Sequence, residues 1–318
     1  MSWEPATSIL SIHDNMGAAV TAVFPPRPLV PGGFVDGTII VVTARLYVVG
    51  GSGVSADLEA QSKSTGAWSA VASLLTPRFG HAVAVGSDHR IYAIGGRSNP
   101  GGVLLSGAEA YQATAFHFKP EAGFWTAMAS MPVARERAAA ATGQNGEIYV
   151  AGGSNGSTVD TSSPLKTFEA YDASTDTWKA HHHMKTARDG AAAVTGTDGR
   201  IYVLGGFDGA KSLSSVESYD PATNKWENEA SMRTPRDGLG AVLGSDGQIY
   251  AIGGENGPDV LTSVEIYNFG TKTWTAGPSM STARSYFAAA IGTDGRIYAI
   301  GGNTGLLGPT ATVEALTV

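Results

Sequence analysis

The chain has 318 residues, 42% of them hydrophobic, a formal net charge of −7 and no cysteine. Disulfides and thiol chemistry are excluded, and no apolar run approaches the ~18 residues needed to cross a bilayer as a helix. The acidic balance has no lysine/arginine cluster to offset it, which argues against nucleic acid or an anionic membrane surface as partner.

From the N-terminus, Met1-Ser2-Trp3-Glu4-Pro5 has neither a basic segment nor an apolar stretch, so a cytoplasmic protein without a cleaved signal is expected. Ten residues beyond Trp3 stands His13, and a proline-rich stretch follows around Phe24-Pro25-Pro26-Arg27-Pro28. Prolines exclude that stretch from a central strand, so a loop is expected there. The first Gly-Gly pair, Gly50-Gly51, then opens a series continued at 95–96, 152–153, 205–206, 253–254 and 301–302. Each pair has a tyrosine three residues upstream: Tyr47, Tyr92, Tyr149, Tyr202, Tyr250 and Tyr298. Such a fixed period marks a repeat array.

The rest of the unit lies in the same frame. A glutamate follows each pair (Glu59, Glu109, Glu169, Glu217, Glu265, Glu314), and Trp68, Trp125, Trp178, Trp226 and Trp274 follow the first five of these. Each of those tryptophans lies 27 residues before the next Gly-Gly, with an arginine ten residues after it: Arg78, Arg135, Arg188, Arg236 and Arg284. Trp3 is the unmatched tryptophan, and His13 stands where an arginine is due. The sixth unit is therefore expected to be split between the two ends of the chain. A second insertion, within Tyr111 to Trp125, carries Phe116, His117 and Phe118.

Within a unit the local signals are of strands. Ala-Ala-Ala-Val-Thr-Gly-Thr-Asp-Gly-Arg-Ile-Tyr-Val-Leu-Gly-Gly, ending at Gly206, is two apolar segments joined by a turn at Asp198-Gly199, and Asn145-Gly146, Asp246-Gly247 and Asp294-Gly295 repeat it. A third strand carries Val216-Glu217-Ser218-Tyr219, and a fourth begins at the tryptophan. Four strands per unit, six times over, is a propeller. Its expected limits are one domain, 1–318, with blades near 12–68, 77–125, 134–178, 187–226, 235–274 and 283–318 completed by 1–10.

Gly-Gly after the second strand, tyrosine three before it, Glu-x-Tyr in the third strand and tryptophan opening the fourth resemble the kelch repeat over essentially the whole chain. The resemblance implies an all-β fold: a six-bladed kelch-type β-propeller with four antiparallel strands per blade, the last completed by the N-terminal strand. It implies less about function, because kelch propellers serve as peptide-binding adaptors, sugar-acid isomerases, glucosinolate-product specifiers and copper oxidases. The iron motif of the specifiers needs an aspartate four residues before a histidine, and those places hold other residues. The oxidases' cysteine-tyrosine cross-link cannot form without cysteine.

Because the recurring residues have structural work, chemistry is sought where the repeats differ. The arginines and glutamates read as ion pairs, and the tyrosines and tryptophans as packing between blades. Immediately after the arginine position stand Asp14, Phe79, Glu136, Asp189, Asp237 and Ser285, then Asn15, Gly80, Arg137, Gly190, Gly238 and Tyr286. After Gly-Gly come Ser52, Arg97, Ser154, Phe207, Glu255 and Asn303, with Asp208 next to Phe207. Peptide-binding kelch domains make their contacts at these offsets, around the mouth of the central channel.

Three roles stay open for such a ring of carboxylates. They are solvated loop residues; or they bind a peptide or small polar ligand, oriented by Asp14, Phe79, Arg97, Arg137, Phe207, Asp208, Glu255, Tyr286 and Asn303; or Asp189, Asp237, Glu136 or His13 acts as general acid or base in a cofactor-free isomerisation or cyclisation. No cofactor and no metal site is expected. His181-His182-His183 alternate faces of a strand and its linker, so at most two could meet one ion. His81 and His89 are lone histidines, and no nucleophile elbow in a strand–helix context occurs. The expected partner is a peptide or small polar ligand; the oligomeric state is not legible.

Overall fold

Runs such as Ile-Tyr-Val-Leu at 201–204, bounded by Asp-Gly on one side and Gly-Gly on the other, are too short and too β-prone for helix and leave extended strands. The computed structural model describes residues 1–6, 38–42, 45–49, 58–61, 68–70, 72–98, 102–113, 123–157, 162–292 and 294–318. His13, Asp14, Asn15, the proline-rich insertion and Phe116 to Phe118 lie outside the described residues.

Among the described residues the strands form six four-stranded antiparallel sheets, with two short two-stranded ladders beside them. Lettered a to d from the axis outward, the first sheet comprises Thr38–Val42, Arg45–Val49, Leu58–Gln61 and Trp68–Ala70. The second comprises Ala82–Val85, Ile91–Ile94, Ala108–Ala113 and Gly123–Met128, and the third Ala139–Thr142, Ile148–Ala151, Phe168–Asp172 and Thr177–Ala180. Ala192–Thr195, Ile201–Leu204, Val216–Asp220 and Lys225–Glu229 make the fourth; Gly240–Leu243, Ile249–Ile252, Val264–Asn268 and Thr273–Ala276 make the fifth. In the sixth, Ala288–Ile291, Ile297–Ile300 and Val313–Leu316 are joined by Trp3–Ala6, in register Trp3↔Leu316 to Ala6↔Val313. The a strands contact one another in cyclic order, and that of the sixth sheet touches that of the first. Sheets arranged radially about an axis in this way are a β-propeller.

The b strands of the second to sixth sheets are buried at every position, because each sheet is sandwiched between two neighbours. The d strands face solvent, as Thr177–Ala180 and Lys225–Glu229 show. The tryptophan sits one residue inside its d strand in the third, fourth and fifth sheets rather than opening it, because pairing with strand c extends a step further, as in Asp172↔Thr177. Helical structure, not expected from the sequence, occurs among the described residues as a single 3-10 turn, Gly305–Leu307.

The repeated residues lock this frame. Arg78, Arg135, Arg188, Arg236 and Arg284 are buried and pair with Glu109, Glu169, Glu217, Glu265 and Glu314 at 2.5–2.9 Å. In each case another guanidinium N–H donates to the carbonyl of the first Gly of the pair, as from Arg236 Nη1 to Gly253 at 2.7 Å. The Glu265 carboxylate also accepts the backbone N–H groups of Arg233 and Thr234, so one buried ion pair ties the d–a loop to the b–c loop of its sheet. The second Gly of each described pair has φ between 87° and 93°. A Cβ on Gly206 would stand 2.7 Å from the Asp189 carbonyl, so this backbone approach requires glycine.

The tyrosines do more than pack. Tyr202 donates its hydroxyl to Asp198 in its own hairpin turn at 2.9 Å, and Tyr92, Tyr250 and Tyr298 do likewise with Asp88, Asp246 and Asp294. The tryptophans bridge sheets: Trp178 and Trp274 donate their indole N–H groups to the Ala129 and Ala230 carbonyls, where the preceding sheet ends, and Trp3 donates to Pro278.

Candidate functional site at the channel mouth

Each chain segment entering the second to sixth sheets passes the axis just before strand a, and there the backbones of successive segments are hydrogen-bonded to one another. Arg137 N–H donates to Gly80, Gly190 N–H to Arg137, Gly238 N–H to Gly190 and Tyr286 N–H to Gly238, at 2.6–3.0 Å. These residues share the left-handed conformation, with φ of 59°, 52°, 57°, 56° and 47° from Gly80 to Tyr286. Glycine takes that conformation freely, whereas Arg137 and Tyr286 hold it at a cost of about 1 kcal/mol each. Farther along the inner strands the channel is apolar, with a cavity of about 340 Å³ lined by residues such as Ala84, Val85, Ala141, Val194 and Leu243.

Immediately before this collar, short backbone ladders set the rim side chains. Phe79 pairs with Arg97, Glu136 with Ser154, Asp189 with Phe207, Asp237 with Glu255 and Ser285 with Asn303. The two variable offsets of the sequence frame are thus cross-strand neighbours, sheet by sheet.

The carboxylates fall into two groups. On one side Arg97 contacts Glu136 at 2.9 Å, while Arg137 lies 3.7 Å from Glu136 and 3.5 Å from Asp189. Ser162 donates its hydroxyl to Asp189 at 2.5 Å. Two guanidiniums therefore meet two carboxylates, all but Arg137 fully buried. Burial works against the Arg137 charge, but Asp189, Tyr286 and Glu136 outweigh it and raise its pKa.

On the other side Asp237 and Glu255 face each other with no ion pair to either among the described residues. Asp237 is 5% exposed; its Oδ2 accepts the Ser212 hydroxyl at 3.3 Å, and its Oδ1 has no partner. Burial, then the charge of Glu255, push its carboxyl up to about 7. Burial also raises Glu255, against the pull of the Ser285 and Tyr286 hydroxyls, of the Arg137 charge and of a hydrogen bond with Asp237 itself. The Tyr286 phenol is pushed up by burial and by Asp237 and Glu255, so it stays protonated.

A cavity of about 390 Å³ opens here. Of the residues expected at the site it takes Arg137, Asp189, Phe207, Asp237, Glu255 and Tyr286 into its wall. Glu136 and Arg97 are not among its lining residues: they are consumed in their mutual pair, and Arg97 also donates to the Gly102 and Gly156 carbonyls at 2.7 and 2.6 Å. Phe79 stands in the ladder with Arg97. Asp208 accepts the N–H groups of Ala210 and Lys211, which lower its pKa, and Asn303 accepts that of Gly305; both shape turns. The structure adds Ser162, Lys211, Ser212 and Asn256 from the b–c loops, whose unequal lengths gave no common frame in which to find them.

The described histidines do not line this cavity. His181 follows the d strand of the third sheet, its Nδ1 2.7 Å from the Tyr219 hydroxyl. Burial pushes His81 down to about 3, with Arg78 adding to the effect, so it is a neutral packing residue beside Gly96. Among the described residues no three histidine, aspartate or glutamate side chains are grouped to hold a metal ion, and no helix is long and apolar enough to cross a membrane.

Radial sheets, the Gly-Gly and Arg–Glu frame and a variable rim define a kelch-type β-propeller. Residues 100–302 match the family described as the KLHDC2/KLHL20/DRC7 Kelch-repeats domain, and the chain belongs to that kelch-repeat family. No curated protein matches its sequence. Among solved structures it is similar to one titled "Structure of YjhT", with a TM-score of 0.75, 18% identity, and 91% of this chain and 96% of that chain covered. At that identity the likeness shows the fold alone.

Proposed function

We propose that this chain is a six-bladed kelch propeller that binds a small polar ligand in the cavity at its channel mouth. Six four-stranded sheets with cyclic contact between their inner strands support the blade number. The ligand reading rests on Asp237: a carboxylate oxygen buried beside a second carboxylate, without a partner, costs stability that a purely structural residue has no reason to impose. A cavity of about 390 Å³ suits a small molecule, and a peptide would have to enter it by one side chain or one terminus.

An enzyme is the second reading, favoured by the same residue. With its carboxyl raised to about 7, Asp237 is suited to take a proton from a bound molecule and return it near neutral pH, and the protonated Tyr286 beside it offers a hydrogen bond to a developing oxyanion. That is the equipment of a cofactor-free isomerase or cyclase.

A thermal-shift screen of amines, sugars, sugar acids and short peptides tests the binding reading. A stabilising compound whose effect disappears in Asp237→Asn supports it. Stabilisation by a compound to the same extent in wild type and Asp237→Asn would place binding elsewhere. NMR of the mixture then separates the two readings, since the enzyme converts its ligand and Asp237→Asn does not.

A further inference from the structure

Among the described residues the charges at the channel mouth do not balance locally, and the imbalance specifies a ligand. Arg97 and Arg137 are taken up by Glu136 and Asp189, so the guanidiniums offer little to an incoming anion. Asp237 and Glu255 hold the remaining negative charge; the charge of Glu255 raises the proton affinity of Asp237, and no cation lies within ion-pair distance of either among the described residues. Lys211 also lines the cavity, but its residue is exposed and it pairs with neither carboxylate. Two aromatic side chains, Phe207 and Tyr286, complete the wall. Carboxylates beside aromatic rings in a partly desolvated cavity are complementary to an organic cation: the carboxylates take its N–H donors and the ring faces attract its charge.

We propose that the cavity binds an organic ammonium ion, seated on the free Oδ1 of Asp237 and the carboxylate of Glu255, in preference to neutral or anionic molecules of the same shape. This rests on the ligand-binding reading above. It accounts for the orphaned oxygen, which gains a charged donor, and for the pair as a whole, which gains its missing countercharge. It also explains why Arg137 and Tyr286 occupy left-handed positions that glycine fills elsewhere in the collar: one neutralises Asp189 and the other walls the ammonium seat. Without a cation, burial and the charge of Glu255 favour a proton on Asp237. The groups facing the pair are Asp189, Arg137, Lys211, Ser212, Ser285 and Tyr286, and of these only Asp189 adds negative charge.

Titration calorimetry and saturation-transfer NMR with cyclohexylammonium, cyclohexanol and cyclohexanecarboxylate compare one ring bearing three charges. The ammonium is expected to bind at least tenfold more tightly than the alcohol, and the carboxylate least. Its affinity should rise about tenfold from pH 6 to pH 8 as the pair loses its proton, because an alkylammonium stays charged throughout. Asp237→Asn should reduce the ammonium to the level of the alcohol, and Asp237→Glu should retain part of the preference. Circular dichroism confirms that each variant is folded.

Equal binding of the three probes, preference for the carboxylate, no binding of any probe, or a flat pH profile would overturn the ammonium seat. So would calcium or magnesium chloride competing with the ammonium at equal concentration, which would make the pair a metal site. None of these touches the broader reading, which stands or falls with the ligand screen and its dependence on Asp237.

Discussion

Replacing Trp3 by alanine tests whether the two ends of the chain carry the ring together. Trp3 is 8% exposed and belongs to one buried cluster with Val264 and Ile266 of the fifth sheet, Met280 of the loop after it, and Ile297 and Leu316 of the sixth, so its indole joins the two sheets. Its N–H donates to the Pro278 carbonyl at 2.8 Å. Removing a buried indole costs about 3–5 kcal/mol, and the orphaned carbonyl adds about 1 kcal/mol. At roughly 2 °C per kcal/mol for a chain of this size, the midpoint should fall by about 8–12 °C. Differential scanning calorimetry measures it, with Trp274→Ala as the internal standard. Trp274 is 5% exposed and makes the equivalent bond to Ala230 at 2.8 Å, but in a sheet built from continuous chain. If the terminal strand is an integral part of the ring, the two variants fall by similar amounts. A Trp274→Ala loss near this size beside a Trp3→Ala shift under about 2 °C would mean that the sixth sheet holds without its d strand, and the reasoning would fail.

Asp237 also makes stability depend on pH. Its folded pKa of about 7 lies above the ordinary carboxylate value of 3.8, so the folded state holds the proton longer and its stability falls as pH rises from about 4 to 7. The loss is on the order of 4 kcal/mol. Asp237→Asn should therefore melt higher than wild type at pH 8 and show a flatter profile across that window; equal slopes in urea titrations of the two proteins would refute the shift. His89 occupies, at φ 63°, the turn position that Gly146 and Gly199 hold in the next two sheets, and its residue is exposed. His89→Gly should stabilise by about 1 kcal/mol, read as a raised midpoint, while a lowered midpoint would show that the imidazole has a role in the turn. Glu265→Gln leaves Arg236 buried without its countercharge and should cost about 3–5 kcal/mol, far more than the same change at the exposed Glu227, as urea unfolding would show.

The site was partly legible in the sequence because the repeat acts as its own ruler. Asp189 and Asp237 stand at one offset, after the arginine, and Glu255 at another, after Gly-Gly; a period shared by every unit puts both offsets on one rim. The ruler did not say which of those side chains were free. Glu136 and Asp237 hold the same offset, yet Glu136 is neutralised by Arg97 from the adjacent sheet while Asp237 faces another carboxylate. Ser162, Ser212 and Lys211 come from loops outside the repeated frame, so no spacing pointed to them.

The sequence alone determined the kelch-type propeller. Gly-Gly, the tyrosine, the Arg–Glu pair and the tryptophan each answer a requirement internal to one sheet or to one contact with its neighbour. A local requirement repeated at fixed intervals can be read from one dimension. Charge balance at the axis is different in kind, because it sums side chains from separate sheets that are some fifty residues apart in the chain. Only the closing of the sheets around the axis brought Arg97 to Glu136 and Arg137 to Asp189, and so left Asp237 and Glu255, among the described residues, with an oxygen and a charge unanswered.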